Sequence, residues 1–416
     1  MPDSTRALMD RRTRVLGPAL RLFYDFPFWP VRGSGVWLYD AQGKAYLDAY
    51  NNVPHVGHCD PEVAAAIARQ TALLNANTRY LDATIVEYAE QLLATLPGAL
   101  NVCVFVCSGS EANELASRLA RAATGGAGFI ASVHAYHGNT HFLSALDGMR
   151  PHAPRPDFVA TVPGPEDARD LQSAYASAID ALEDRGFSVA GAFVDTCFAN
   201  EGLQPPQASQ VQGAMARLRA AGGLYIADEV QVGLGRLGDV MWGFESFGVV
   251  PDIVTMGKPL ANGYPIGAVA TRREILEAFS RKERYFNTFG GNPVAGAAGL
   301  AVLNTLQRKS LREQARQVGD HLRAQLANLA RSVPGIGAAR GRGFLQGVPI
   351  HDPKSGEPAP ELARGVMNAM ARRGVLVGLT GPRRNILKIR PPMVFEREHA
   401  EMLAETLAAV LASGPE

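Results

Sequence analysis

Two charged side chains at the ends of apolar runs give the strongest chemical signal in this chain. Asp228 lies in Ile226-Ala227-Asp228-Glu229-Val230-Gln231, and Lys258 lies 30 residues later in Thr255-Met256-Gly257-Lys258-Pro259-Leu260. A carboxylate at the end of a buried strand is unfavourable unless something pairs with it. A cationic ring nitrogen in an adjacent crevice would pair Asp228. A metal shared with Glu229, or a cap on the following turn, would also use the carboxylate. No histidine or second acid cluster stands at ligand spacing, which argues against the metal. A lysine at a strand end either snorkels to solvent or is desolvated for amine chemistry. Its place on the next strand after Asp228 favours the amine chemistry.

Ser108-Gly109-Ser110-Glu111-Ala112-Asn113 follows an apolar strand and opens a helix. Small residues let the backbone approach an anion, and the helix N-terminus supplies free N–H groups and partial positive charge. The hydroxyls of Ser108 and Ser110 add donors. Ser108 and Glu111 also fit a capping box, which is a purely structural reading. The segment is neither a P-loop nor a GxGxxG turn. Tyr136-His137-Gly138 follows another strand, where the tyrosine ring would either stack on a flat cofactor or pack on a helix. Phe286-Asn287-Thr288-Phe289-Gly290-Gly291-Asn292-Pro293 is a second small-residue loop with a hydroxyl. His55-Val56-Gly57-His58-Cys59 has the composition of a metal tract. All its ligands come from one short loop, so a hydrogen-bonded structural loop is expected. Cys103 and Cys107 share a strand face with Phe105 and read as core.

These residues need a frame that brings strand ends together. Apolar, β-branched runs at 102–107, 128–133, Val189–Asp195, 224–230 and Ile253–Met256 read as buried strands. Helical patterns lie between several of them, including the stripe Ala112, Leu115, Ala116, Leu119 and a helix over 211–221. The alternation predicts a mainly parallel sheet with helices on both faces. Such sheets bind ligands at the carboxyl ends of their strands, where Ser108, Tyr136, Asp228 and Lys258 fall. The flanks differ. A strand at 35–39 precedes a turn at 40–43, helices run from 296 to Leu306 and on to about Ser332, strands follow at 341–350, and a last helix starts near Glu396. Residues 1–60 and 296–416 are read together as a smaller α+β domain around a large domain of 61–295, with a hinge at Gly290-Gly291-Asn292-Pro293.

The chain has 416 residues, 47% hydrophobic and 19% charged, with a net charge of +1. This length exceeds one small core. The charge gives no electrostatic reason to expect a nucleic-acid or acidic-membrane partner, and no basic–aromatic stripe points to RNA. No apolar run approaches the roughly 20 residues of a membrane span. The stretch 1–14 is polar and lacks an apolar signal core. Four unpatterned cysteines read as reduced thiols of a cytoplasmic protein.

In combination, Ser-Gly-Ser-Glu-Ala-Asn, Tyr-His-Gly, Asp-Glu-Val-Gln, Gly-Lys and Thr-Phe-Gly-Gly-Asn-Pro resemble, in order, the motifs of class III aminotransferases. These are pyridoxal-phosphate enzymes of fold type I, and the resemblance runs from about Val36 to Val394. It implies a large domain with a mainly parallel seven-stranded sheet, and pyridoxal 5'-phosphate as cofactor. Lys258 would be the lysine that carries the cofactor and later shuttles a proton. Asp228 would keep the pyridine nitrogen protonated. Val230 and Tyr136 would flank the ring, with His137 among the cofactor-binding residues, and Gln231 would reach the phenolic oxygen. Ser108, Gly109 and Ser110 would form the phosphate loop, helped by Thr288 from the other subunit. That sharing implies an obligatory homodimer, with pairing into a tetramer left open.

Asn51-Asn52-Val53-Pro54-His55-Val56-Gly57-His58-Cys59, Leu74-Asn75-Ala76-Asn77-Thr78-Arg79-Tyr80-Leu81 and Leu387-Lys388-Ile389-Arg390-Pro391-Pro392-Met393 are similar to one subgroup, which contains ethanolamine-phosphate and 5-phosphohydroxy-lysine phospho-lyases. Such enzymes act on an amine phosphate and release phosphate, ammonia and an aldehyde. Transaminases using 2-oxoglutarate resemble one another in a Glu-Pro-Val-Gln-Gly-Glu-Gly-Gly stretch whose second glutamate gates a substrate-binding arginine. Here Asn200 takes the gate position, with Glu201 one place away, and Lys388 aligns with the arginine. Lysine lacks the planar clamp on a carboxylate but attracts phosphate as a point charge. Lys388 and Arg79 are therefore the expected substrate-anion residues. The chain departs from the subgroup at Cys107, Tyr264, Asp60 and Asp82, which points to an altered substrate. The alternative is an ω-aminotransferase passing an amine to pyruvate or a similar oxoacid.

Overall fold

A computed structural model describes residues 3–148, 154–167 and 170–414. Of the polar N-terminal stretch, residues 1 and 2 lie outside these, and Asp3–Leu16 is a helix. The central sheet has seven strands in the order Val102–Val106, Gly267–Thr271, Ile253–Met256, Leu224–Asp228, Val189–Asp195, Gly128–Ser132, Val159–Val162. The last five are mutually parallel, and Gly267–Thr271 runs antiparallel to both of its neighbours. The sheet is thus the expected mainly parallel one. Asp195 pairs in register with Asp228, and Asp228 with Thr255, so the strand ends form one edge.

Two strands had no hydropathic signal strong enough to read. Gly267-Ala268-Val269-Ala270-Thr271 is buried throughout but built of small residues, and Val159–Val162 is a four-residue edge strand. Conversely, the apolar runs at 102–107, 128–133 and 224–230 outlast their strands, which stop at Val106, Ser132 and Asp228. The chain turns there while its side chains stay partly or wholly buried, Val230 at 8% exposure.

The helix Gly109–Thr124 packs on the sheet through Ala112, Leu115, Ala116 and Leu119, each no more than 2% exposed. This spacing draws one apolar stripe along a helix, and each buried leucine contributes about 2 kcal/mol. The stripe therefore fixes where the helix N-terminus sits at the strand edge. The expected helix at 211–221 is Ala208–Ala220.

Two four-stranded sheets flank this core. Asp40 Oδ1 accepts from the N–H groups of Gln42 and Lys44, turning Trp37–Asp40 back into Ala45–Asp48. The C-terminal strand Val375–Leu376 joins Ala45–Asp48 in parallel, so one sheet draws on both ends of the chain. The second sheet orders Arg340–Arg342, Leu345–Pro349, Ile386–Ile389 and Gly378–Thr380, and its third strand carries Lys388. The helix expected from 296 begins at Pro293, with Asn292 accepting from Ala295 N as N-cap and Gly291 in the left-handed region. Among the described residues, no helix is long and apolar enough to cross a membrane.

Candidate active site

Asp228 ends its strand with its carboxylate 7% exposed and accepts three hydrogen bonds. Oδ2 lies 2.7 Å from His137 Nδ1 and accepts from Asn113 Nδ2 at 2.9 Å; Oδ1 accepts from Val230 N at 3.0 Å. Asn113 is held in turn, its Oδ1 accepting from Thr255 Oγ1 at 2.6 Å and its Nδ2 also donating to the His137 carbonyl at 2.7 Å. The carboxylate is therefore oriented from three separate elements. Burial alone would lower the His137 pKa, but hydrogen bonding to Asp228 and the charges of Asp228, Asp195 and Glu201 leave it above the ordinary histidine value. Glu229 points elsewhere, accepting from Thr196 Oγ1 and the N–H groups of Gly243 and Phe244.

Lys258 follows the neighbouring strand. Its amine pKa is lowered by burial and by the Arg390 charge, against the pull of Asp228 and Asp195. Lys388 and Arg390 stand close by, 5% and 6% exposed. Lys388 Nζ and Arg390 Nη1 both donate to Gln231 Oε1, at 3.0 and 2.5 Å, and Arg390 Nε donates to the Tyr50 carbonyl at 3.1 Å. Burial and the neighbouring Arg390 push the Lys388 pKa down to about 7. Neither cation forms an ion pair within 4.0 Å among the described residues. The site thus sets a buried carboxylate, an amine of depressed basicity and two buried cations around one crevice.

The loop before the helix Gly109–Thr124 closes the crevice floor. Ser108 Oγ accepts from Glu111 N as N-cap, while Glu111 Oε2 reaches back to Cys107 N rather than to Ser108. A Cβ at Gly109 would stand 2.8 Å from Val230 Cγ1, and one at Gly257 would stand 3.1 Å from Gly109 Cα. Glycine at 109 and 257 therefore lets three strand ends close together. Ser110 Oγ accepts from Asn139 N at 3.3 Å, and Tyr136 is 43% exposed.

Other sequence candidates lie apart. Thr288 is exposed, and so is Arg79, whose guanidinium stacks 3.8 Å from the centre of the Phe286 ring. Within one chain Arg79 is thus joined to the 286–289 loop and not to Lys388. Asn200 is partly buried. Glu201 is 3% exposed and lines a small cavity with Ser132, His137 and Asp195, away from the two cations. Cys103 and Cys107 are only partly buried, because Val102–Val106 is an edge strand and Cys107 lies beyond its end. The histidine tract is hydrogen-bonded. His55 Nδ1 faces Arg236 Nη2 at 3.2 Å and its Nε2 faces the Leu234 carbonyl at 2.9 Å, while His58 Nε2 lies 2.6 Å from Asp48 Oδ2. Sequence reasoning missed Asn113 and Arg390. The alternation of Lys388 and Arg390 carried a signal, since period two puts both on one strand face. Nothing local distinguished Asn113 from a helix-surface residue.

Class III aminotransferases provide the family model, which matches residues 24–411. The chain belongs to the class III aminotransferases. The chain is 46% identical to a phospholyase from Arthrobacter solved in complex with phosphoethanolamine, with a TM-score of 0.94 over 98% of this chain and 100% of that one. It is 36% identical to the Caenorhabditis elegans ethanolamine-phosphate phospho-lyase homolog 1, covering 98% of this chain and 93% of that protein. It is 39% identical to a Drosophila melanogaster alanine–glyoxylate aminotransferase 2-like protein, over 94% and 84% respectively. Pyridoxal phosphate is the cofactor of this class III aminotransferase. The residues present fit it, since the first-turn N–H groups of the helix Gly109–Thr124 have no intrahelical acceptor, the glycines leave a flat floor, and Asp228 offers a fixed carboxylate.

Proposed function

We propose that this protein is a pyridoxal-phosphate-dependent phospho-lyase, releasing phosphate and ammonia from an amine phosphate such as phosphoethanolamine or 5-phosphohydroxy-lysine. The observation that carries this reading is the buried pair Lys388 and Arg390, two basic side chains beside Lys258 without an ion-pair partner among the described residues. Buried cations are unfavourable without a counter-ion, and a substrate phosphate supplies one. The Arthrobacter phospholyase bound to phosphoethanolamine supports the same chemistry.

When bound, the cofactor supplies an electron sink for a carbanion at the amine-bearing carbon. Lys258 takes the proton from that carbon, and its lowered basicity favours the free amine that a base needs. Lys388 and Arg390 attract the phosphate oxygens as the C–O bond breaks and the phosphate leaves with the electron pair. Water then hydrolyses the released enamine to an aldehyde and ammonia. Asp228 would keep the ring nitrogen of the bound cofactor protonated, Val230 and Tyr136 would flank it, and Gln231 would present its amide while Lys388 and Arg390 hold its oxygen. Ser108, Gly109 and Ser110 would hold the cofactor phosphate. A methyl group at Gly109 would press into Val230. Gly109→Ala is therefore expected to weaken cofactor retention by roughly tenfold or more, the scale of a mild overpacking, as equilibrium dialysis against pyridoxal phosphate reads it.

Incubation with phosphoethanolamine tests the reaction. Equal release of phosphate and ammonia is expected; formation of alanine from pyruvate with the same amine, without phosphate, would make the protein an ω-aminotransferase. Lys388→Met should lower kcat/KM for phosphoethanolamine by roughly 10- to 100-fold, the scale of one charge-assisted hydrogen bond. An unchanged value would remove Lys388 from substrate binding.

The active unit in this reading is a homodimer. Tyr80, Leu81 and Phe289 are 70%, 103% and 72% exposed, on the same two loops that carry Arg79 and Thr288. Burying them against a second copy would bring Thr288 and Arg79 to the partner's crevice. Light scattering should give twice 44.4 kDa; a monomer with full activity would overturn the shared site. Free cysteines fit a cytoplasmic enzyme.

A further inference from the structure

At the strand ends lies a small cavity, lined by His137 but not by Asp228, that the reaction above does not use. Its walls include Ser132, His137, Tyr175, Asp195 and Glu201. Two of these residues carry buried polar atoms without a partner among the described residues. They are His137 Nε2 and Glu201 Oε2, and both residues are only 3% exposed. A buried group left so is unfavourable by about 1–3 kcal/mol, and two in one cavity call for a shared partner. The cavity has about 20 Å³ of room for a water. That is enough for one molecule, which needs two to four polar contacts to be ordered. The other face of the imidazole is already committed, since Nδ1 lies 2.7 Å from Asp228 Oδ2. Asp195 cannot serve instead, because its oxygens accept from Cys197 N, Cys197 Sγ and Ala199 N.

We propose that this cavity holds one ordered water joining His137 Nε2 to Glu201, which makes Glu201 a positioning residue that sets the charge on His137. With Glu201 ionised, the water passes a hydrogen bond from Nε2–H to the carboxylate and the imidazolium is favoured. With that charge removed, the neutral Nδ1–H imidazole is favoured instead. Asp228 accepts from Nδ1 in both cases, but it faces a cation in the first and a neutral ring in the second. Glu201 thereby adjusts how strongly Asp228 holds a proton at the cofactor's ring nitrogen. Other ionisable groups face this pair. Asp195 and Asp228 stand at the strand ends, Tyr175 comes from the helix Leu171–Asp184, and His134 lies on the turn beyond Ser132. Burial and Asp195 push the Glu201 carboxyl up to about 7, against hydrogen bonding from Ser132, so its charge changes near neutral pH.

The test uses the cofactor-free full chain, labelled with ¹⁵N-histidine, so its result does not depend on which substrate is turned over. His137 is assigned as the resonance missing from His137→Gln. In Glu201→Gln, an isosteric change, the His137 titration midpoint should fall by about one unit, the scale of losing one nearby charge. An unchanged midpoint and unchanged Nε2 shift in a folded variant would overturn the coupling. A high-resolution crystal structure of the unaltered protein reads the water directly even if the variant does not fold. Density bridging His137 Nε2 and Glu201 supports the proposal, and an empty cavity overturns it. In the cofactor-loaded enzyme, Glu201→Gln should also shift the visible absorbance titration while KM for the amine stays within twofold. A purely structural glutamate would change stability without moving that titration.

Discussion

Lys258→Ala is expected to abolish turnover, with a loss of about 10⁴-fold or more, the upper end of what one positioned proton-transfer group contributes. The geometry makes the loss specific. Lys258 is the lysine at the end of the strand beside Asp228, and its amine is drawn toward the neutral form by burial and by Arg390. The other lysine of the crevice, Lys388, is engaged with Gln231 Oε1 and sits on the opposite sheet. It cannot take over without leaving that partner. A readout independent of rate separates this from misfolding. Borohydride reduction and peptide mapping should place the cofactor label on the peptide containing position 258 in the parent protein and find none in the variant. A variant turning over as fast as the parent, or a label elsewhere, would sink the assignment. Alanine at 258 removes a partly buried amine without leaving an unpaired buried group, so the fold should persist and the melting temperature should change little.

Much of this arrangement was legible in the residues because its parts obey local rules. Strand runs such as Val189–Asp195 and Ile253–Met256 are continuous apolar segments, as expected where both faces of a sheet are covered. Ser108 announced a helix start, and the stripe from Ala112 to Leu119 fixed its buried face. What stayed hidden depends on contacts distant in sequence. Gly267–Thr271 is a strand because it fits between two neighbours, not because its small residues favour one. Asn113 is oriented by Thr255 and Asp228, more than 100 residues away. Glu201 reads in sequence as one place away from a gate, whereas in three dimensions it lines a small cavity together with His137. Arg79 reads as a partner for Lys388 because both are cations in motifs of one subgroup; within one chain it stacks on Phe286, so any meeting with a Lys388 would need a second copy.

Asp228→Ala should lower kcat/KM by roughly 10²–10³-fold, the scale of removing one fixed electrostatic partner from a water-poor site, about 3–4 kcal/mol. The carboxylate's value lies in being held before the reaction begins, with Asn113, His137 and Val230 N already fixing both oxygens. Alanine also strands these donors, and each buried donor left unpaired destabilises by about 1–3 kcal/mol, so the melting temperature should fall as well. Asp228→Asn separates the two effects, since it keeps the volume and one acceptor but removes the charge. On the alkaline side it should melt close to the parent and still lose most of the rate; a near-normal rate in a folded Asn variant would remove the ring-nitrogen argument. The pH dependence has a definite sign. Because the folded His137 pKa lies above the ordinary value, its pairing with Asp228 adds stability that is fully present below about pH 6.5 and fades as pH rises through the raised pKa. The gap in melting temperature between parent and Asp228→Asn should therefore be widest in mild acid and narrow on the alkaline side. A gap that widens with pH would mean that His137 is not the charge Asp228 supports.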